Sequence, residues 1–194
     1  MKKKLFLSGP PCSGKSGMII EALGGSLACA GGYFTRKLFS GDGAPLGLEL
    51  LPAAAAAGVE GFKALRYIDL GGGRPVKDNE VFRTEAVRLL NEAEYYPFAV
   101  LDEIGGFELV IPQYRDALAA FLSSPVPCIG VLKTIESFEA ERSLLGLGER
   151  PAALAARLRS ALESHPDTLI VPTKGRGDAR AEALVREWAA NFAE

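Results

Sequence analysis

The sequence predicts an α/β fold of three layers, with a mostly parallel central sheet and helices on both faces. Three observations predict it. Short apolar runs of strand length recur along the chain, and several end at glycine or at acids. The segments between many of them carry apolar residues at helical spacing. One early pair of strand-like runs is joined by Ser-Gly-Asp-Gly. That is turn chemistry, so an antiparallel hairpin is expected among otherwise parallel β-α units.

In chain order, "KLFLSG" (4–9) reads as a buried strand, and 13–23 begins as a loop and continues as a helix. "GGYFTRKLF" (31–39) and "PLGLELLP" (45–52) are the arms of the hairpin, turning at 40–44. "AAAAAG" (53–58) fits either a short helix or a loop. "ALRYIDL" (64–70) is another strand, stopped by "GGGRP". A helix near 78–94 carries Phe82, Ala86, Leu89, Leu90 and Ala93 on one stripe. "FAVLDEIGG" (98–106) is a buried strand, and Tyr114, Ala117, Leu118, Phe121 and Leu122 mark the helix after it. "VPCIGVLKT" (126–134) and "TLIVPT" (168–173) are further strands, with a helix over 152–162 between them. Leu184, Val185, Trp188 and Phe192 stripe the terminal helix.

With 194 residues, 48% hydrophobic and 24% charged, the chain suits one domain over 1–194 with a substantial core. A net charge of -2 excludes a bulk basic surface for nucleic acid. No apolar run reaches the length of a membrane span. The lysines of "MKKKLFLSGPP" precede only three apolar residues, so the segment reads as the first core strand and not as a secretion signal. Cys12, Cys29 and Cys128 are odd in number and widely separated, which fits reduced thiols and a cytoplasmic protein. His165, the only histidine, precedes Pro166 and reads as a loop or cap residue. No Gly-x-Ser-x-Gly elbow is present.

Two motifs carry chemistry. "GPPCSGKS" (9–16) satisfies G-x-x-x-x-G-K-[ST] between a strand and a helix, so Gly9, Pro10, Pro11, Cys12, Ser13, Gly14, Lys15, Ser16 and Gly17 form a candidate phosphate loop. Loop amides and a helix N-terminus aim positive dipoles at an anion. Lys15 adds a mobile charge for the β- and γ-phosphates, and the Ser16 hydroxyl suits Mg2+. Pro10 and Pro11 stiffen the loop. The Cys12 thiol has two readings: it sits beside the phosphates, so that its modification blocks nucleotide binding, or it is simply a small tolerated side chain. The second motif is "FAVLDEIG" (98–105). Its strand delivers Asp102 to the carboxyl edge of the sheet, where open α/β sheets bind ligands, as a second metal ligand. Glu103 follows at once and is the candidate that orients and deprotonates an attacking water. Phosphate loop and acidic strand together point to a three-layer P-loop NTPase fold.

Other positions have two readings each. Lys133 and Thr134 end a strand, facing a γ-phosphate or simply exposed. Thr173, Lys174 and Arg176 end the last strand, touching a base or forming an ordinary turn. Arg36 and Arg66 supply charge to the site or pair with acids. The arginines of 141–159 form a lid or a solvated helix face, and Glu108 is a second site acid or a helix-start charge.

"GPPCSGKS", "GGYFTRKL…LGLEL", "YIDL" and "LDEIGGFEL" together resemble the small nucleoside-triphosphatases first described from thermophiles, also called cancer-related nucleoside-triphosphatases. The resemblance runs over about 4–134, and more loosely through "VPTKGRGD" to the end, and the acidic string at 102–109 is its most specific part. It implies a compact α/β P-loop fold and slow, Mg2+-dependent hydrolysis of ATP, GTP and other NTPs. It implies binding by Gly9 to Ser16 and by the strand from Pro97 to Ile104. The chain departs from that pattern at Cys12-Ser13, at Arg36-Lys37 where acids are expected, at Phe39, and in "TKGRGD". The leading expectation is therefore an NTP phosphohydrolase. The alternatives are a small-molecule or nucleotide kinase, and a low-turnover switch whose protein partner supplies an arginine.

Overall fold

The computed structural model describes residues 1–193. Its strands are β1 (Lys4–Ser8), β2 (Ala30–Phe39), β3 (Pro45–Pro52), β4 (Leu65–Asp69), β5 (Val76–Lys77), β6 (Phe98–Ile104), β7 (Cys128–Leu132) and β8 (Thr168–Pro172). They form one sheet in the order β5-β4-β3-β2-β6-β7-β1-β8. From β2 to β8 neighbours are parallel, and β2 to β5 are joined antiparallel. The expected hairpin is thus the first part of a longer antiparallel extension.

The helices are α1 (Lys15–Leu23), α2 (Asn79–Val81), α3 (Val87–Glu92), α4 (Pro112–Ser123), α5 (Ile135–Leu145), α6 (Arg150–Ser164) and α7 (Ala179–Phe192). They cover both faces, which explains why the parallel strands read as unbroken apolar runs. Strand alternation divides the side chains between two cores. Leu5 and Leu7 join Ile19 of α1 and Val185 and Trp188 of α7 on one face. Phe6, with Ala99 and Leu101 of β6, joins Leu90 of α3 and Tyr114, Leu118 and Phe121 of α4 on the other.

One open reading is decided, and two details differ from the sequence reading. The alanine run forms a 3-10 turn, Ala53–Ala57, with Ala53 and Ala54 buried. The helix near 78–94 is interrupted by a π turn, Phe82–Ala86, and Phe82 there stands edge-on to Tyr67, Phe107 and Tyr114. α5 and the two-residue β5 were not anticipated; α5 buries a single side chain, Phe138, so it has no apolar stripe to read.

α7 docks through Trp188. Its ring is fully buried, lies edge-on to Phe98 and donates its indole N–H to the Lys3 carbonyl at 3.0 Å. Trp188→Ala removes that packing and leaves a cavity, an expected loss of about 4 kcal/mol. For a chain of this size the melting temperature should fall by roughly 10 °C. A fall of only a degree or two in a thermal melt would contradict this placement.

Candidate active site

The phosphate loop leaves β1 at Ser8 and enters α1 at Lys15. Gly14 caps α1 in the left-handed region (φ 87°), and no side chain caps the helix start. The first-turn N–H groups therefore lack a side-chain acceptor, which is the setting an anion satisfies. Lys15 folds back over its own loop. Its ammonium donates to the Gly9 carbonyl at 3.1 Å, to the Pro10 carbonyl and to the Ser13 hydroxyl at 3.3 Å. Burial pulls its pKa below the usual lysine value, partly offset by Glu103 and Asp102.

The loop is braced from outside by the β8–α7 turn. The Thr173 N–H donates to the Ser8 carbonyl at 2.9 Å, and the Arg176 N–H to the Ser13 carbonyl at 2.8 Å. The approach is too close for side chains. A Cβ on Gly9 would lie 2.0 Å from the Thr173 oxygen, and one on Gly175 2.1 Å from the Ser13 oxygen.

β7 lies between β1 and β6, so the two motifs are not on adjacent strands. α1 packs over β7 and closes the gap. The Ser16 hydroxyl donates to one Asp102 oxygen at 2.8 Å. The other oxygen accepts from the Thr35 N–H at 3.1 Å and its hydroxyl at 3.0 Å. Only 1% of Asp102 is exposed. Burial and the neighbouring Glu103 raise its pKa to about 6, against the pull of the Ser16 and Thr35 hydrogen bonds.

Glu103 shares the cleft although consecutive strand residues normally point apart. The β6–β7 register slips between Leu101 and Ile104, and Glu103 sits at φ 60°. A bulge, rather than the simple end of a strand, turns both acids to one side. A left-handed glutamate costs on the order of 1 kcal/mol. The turn after it is latched by Glu108, which accepts the Gly105 and Gly106 N–H groups at 2.8 and 2.7 Å. Burial pushes the Glu108 carboxyl up, opposed by Lys133.

A cleft of about 300 Å3 is lined by Cys12, Ser13, Gly14, Lys15, Ser16, Gly17, Thr35, Lys37, Phe39, Asp102 and Glu103. Gly9, Pro10 and Pro11 lie outside that lining. Lys133 does not enter it: its ammonium pairs with Glu141 and lies 3.9 Å from Glu103. Thr134 caps α5, accepting the Ser137 N–H at 3.1 Å. Thr173 closes its own turn through Asp178 at 3.0 Å, and Lys174 is exposed. Arg176 pairs with Glu21 at 3.2 Å beside a second cleft, of about 530 Å3, over α1 and α7. Arg36 pairs with Glu49 at 2.7 Å and Arg66 with Asp69 at 3.5 Å, both away from the cleft. Of the arginines in 141–159, Arg159 reaches the strand ends, donating to Ser8 Oγ at 3.0 Å and the Lys133 carbonyl at 2.8 Å. Thr35 and Lys37 are the residues that sequence reasoning did not single out for the site; the aromatic-aromatic-Thr string of β2 was the available signal for Thr35.

Asp102 gives a prediction for the protein alone. Its proton is held more tightly in the fold than in the unfolded chain. Its favourable contribution is complete below pH about 4 and is lost as pH rises through 6. Asp102→Asn should therefore stabilise the fold at pH 8, by up to about 3 kcal/mol, and the gain should vanish near pH 4. Melts of both proteins across that range test it. A gain that does not change with pH, or no gain at all, would count against a buried, ionised Asp102.

Comparison with known proteins gives two matches. The profile of the NTPase family matches residues 4–146. THEP1 from the hyperthermophile Aquifex aeolicus, a solved structure, is similar at 20% identity and a TM-score of 0.49, over 82% of this chain and 99% of that one. Among curated proteins there is no match. The family profile spans well over half of the chain and covers both the phosphate loop and the Asp102-Glu103 bulge, so this protein belongs to the NTPase family.

Proposed function

We propose that this protein is an Mg2+-dependent nucleoside-triphosphate phosphohydrolase, working as one domain over 1–194 in a reducing cytoplasm. The observation that carries the reading is the bulge at Asp102-Glu103. It places one carboxylate on the Ser16 hydroxyl and the other in the same cleft as Lys15.

The donor set fits Mg2+. Ser16 and Asp102 offer two hard oxygens side by side, and the described residues contain no cluster of His, Cys, Asp and Glu that would cage a metal by itself. Mg2+ is commonly held in this way, by one or two protein oxygens together with substrate phosphates. When bound, the metal neutralises charge on the β- and γ-phosphates.

The chain's own residues supply the rest. Loop amides and the α1 start bind the phosphates, and Lys15 exchanges the Gly9 and Pro10 carbonyls for phosphate oxygens. Glu103 accepts a proton from the attacking water as its oxygen bonds to the γ-phosphorus. The bond to the β–γ bridging oxygen breaks, and the products are a diphosphate and phosphate. The larger cleft next to Arg176 is where we place the base. Its lining mixes Glu21 and Glu182 with Arg176 and Arg186, offering both acceptors and donors, which suits adenine, guanine and other bases alike.

One observation favours a second reading. Beyond Glu103 and Lys37 a smaller cavity of about 200 Å3 is floored by Leu48, Ile68 and Leu144 and edged by Ser137 and Glu141. A hydroxyl-bearing acceptor there would make the protein a small-molecule kinase.

Phosphate release from ATP, GTP, CTP and UTP, with and without Mg2+, tests the proposal. Glu103→Gln should bind NTP as wild type does and lose at least about 100-fold in kcat. Lys15→Ala should lose binding. Mg2+-independent release, or an unimpaired Gln variant, would contradict the roles given. ATP consumption that needs an added acceptor and yields no free phosphate would replace hydrolase by kinase.

A further inference from the structure

β2 carries more than the Asp102 contact. Its parallel pairing with β6 ends at Tyr33 opposite Leu101, and the strand then continues past the bulge to Phe39. Thr35 faces the cleft and holds Asp102. Arg36 points to the other face and pairs with Glu49. Lys37, two residues after Thr35, returns to the cleft. It lines the cavity of the phosphate loop together with Lys15, Asp102 and Glu103, and it also lines the smaller cavity beyond Glu103.

Its ammonium lies 3.2 Å from the Cys12 thiol. Among the described residues no carboxylate lies within ion-pair distance of it. Of the acids that share its clefts, Asp102 is engaged by Ser16 and Thr35, and Glu103 lies 3.9 Å from the Lys133 ammonium. Lys37 also works against Lys15, lowering its pKa through charge repulsion. Two ammonium groups converging on one cleft, one with no counter-charge, oppose each other until an anion enters. A triphosphate is such an anion, and Lys37 stands on the side where Glu103 would hold the water.

We propose that Lys37 is a catalytic cation supplied by the chain itself: with nucleotide bound, its ammonium leaves the Cys12 thiol and donates to a non-bridging oxygen of the terminal phosphate. It stabilises the charge that builds there as the phosphoryl group transfers, the role a partner's arginine would otherwise fill. This rests on the triphosphatase reading above, and it makes a stimulating protein partner unnecessary.

The test compares wild type with Lys37→Met, Lys37→Arg and Arg36→Ala. It measures phosphate release with Mg2+ and the affinities for ADP and a non-hydrolysable ATP analogue by calorimetry. Lys37→Met should lose about 100-fold in kcat. It should bind ADP within about twofold of wild type but lose most of its preference for the triphosphate, because the contact is to the last phosphate alone. Lys37→Arg should recover much of both, and Arg36→Ala should match wild type. If wild type hydrolyses NTP and Lys37→Met does so within about threefold of it, the inference falls while the hydrolase reading stands. A slow Lys37→Met with its triphosphate preference intact and no recovery in Lys37→Arg would show a merely structural lysine and also overturn it. If wild type releases no phosphate, the hydrolase reading fails. The triphosphate preference then still decides whether Lys37 meets the terminal phosphate.

Discussion

A carboxylate sealed into the sheet's carboxyl edge is the constraint around which the rest of the site is arranged. Asp102 is buried and, near neutral pH, charged, and that is unfavourable unless its oxygens are occupied. Ser16 reaches it across β7 from the phosphate loop, and Thr35 reaches it from β2. These three hydrogen bonds tie together the parallel strands' ends, the start of α1 and the first antiparallel arm. Under the proposed function the same oxygens would hold a phosphate-bound cation, which would give this buried charge a role outside folding.

The elements around that carboxylate are held by backbone contacts on one side and by carboxylates that cap backbone N–H groups on the other. The β8–α7 turn presses on the phosphate loop through Gly9 and Gly175, which fixes the loop before any ligand arrives. On the other side Glu108 latches the two glycines that follow the bulge, and Glu141 of α5 accepts the Phe107 N–H at 3.0 Å while pairing with Lys133. α5 thereby supports Glu103 indirectly. Lys15 is the exception to this rigidity. It bonds its own loop's carbonyls, interactions that, in the proposed function, a phosphate would replace with stronger ones.

What was legible in the sequence was local. The phosphate loop is one contiguous string, and its strand-loop-helix context follows from "LFLSGPPCSGKS" alone. The buried strands were legible because parallel strands covered on both faces are apolar throughout, and α4 and α7 because each has a clear stripe. α5 has none, and β5 is two residues long. Pairing across the sheet left no local trace. Nothing in "TRKLF" says that Thr35 meets Asp102, that Arg36 faces away or that Lys37 returns to the cleft. Those facts depend on β2 lying beside β6, which brings Thr35 to a residue 67 positions further along the chain. Lys133 shows the converse: its position at a strand end was legible, but its engagement by Glu141 depended on a helix with no readable pattern.

A crystal structure with a non-hydrolysable ATP analogue and Mn2+ in place of Mg2+ tests the central claim most directly, because anomalous scattering locates the metal. The account predicts a metal peak bonded to Ser16 Oγ and to phosphate oxygens, with Asp102 bonded to it or one water away. Lys15 should have moved from the Gly9 and Pro10 carbonyls to the phosphates. A nucleotide seated in another cavity, or a metal away from Ser16 with Lys15 still on its own loop, would contradict it.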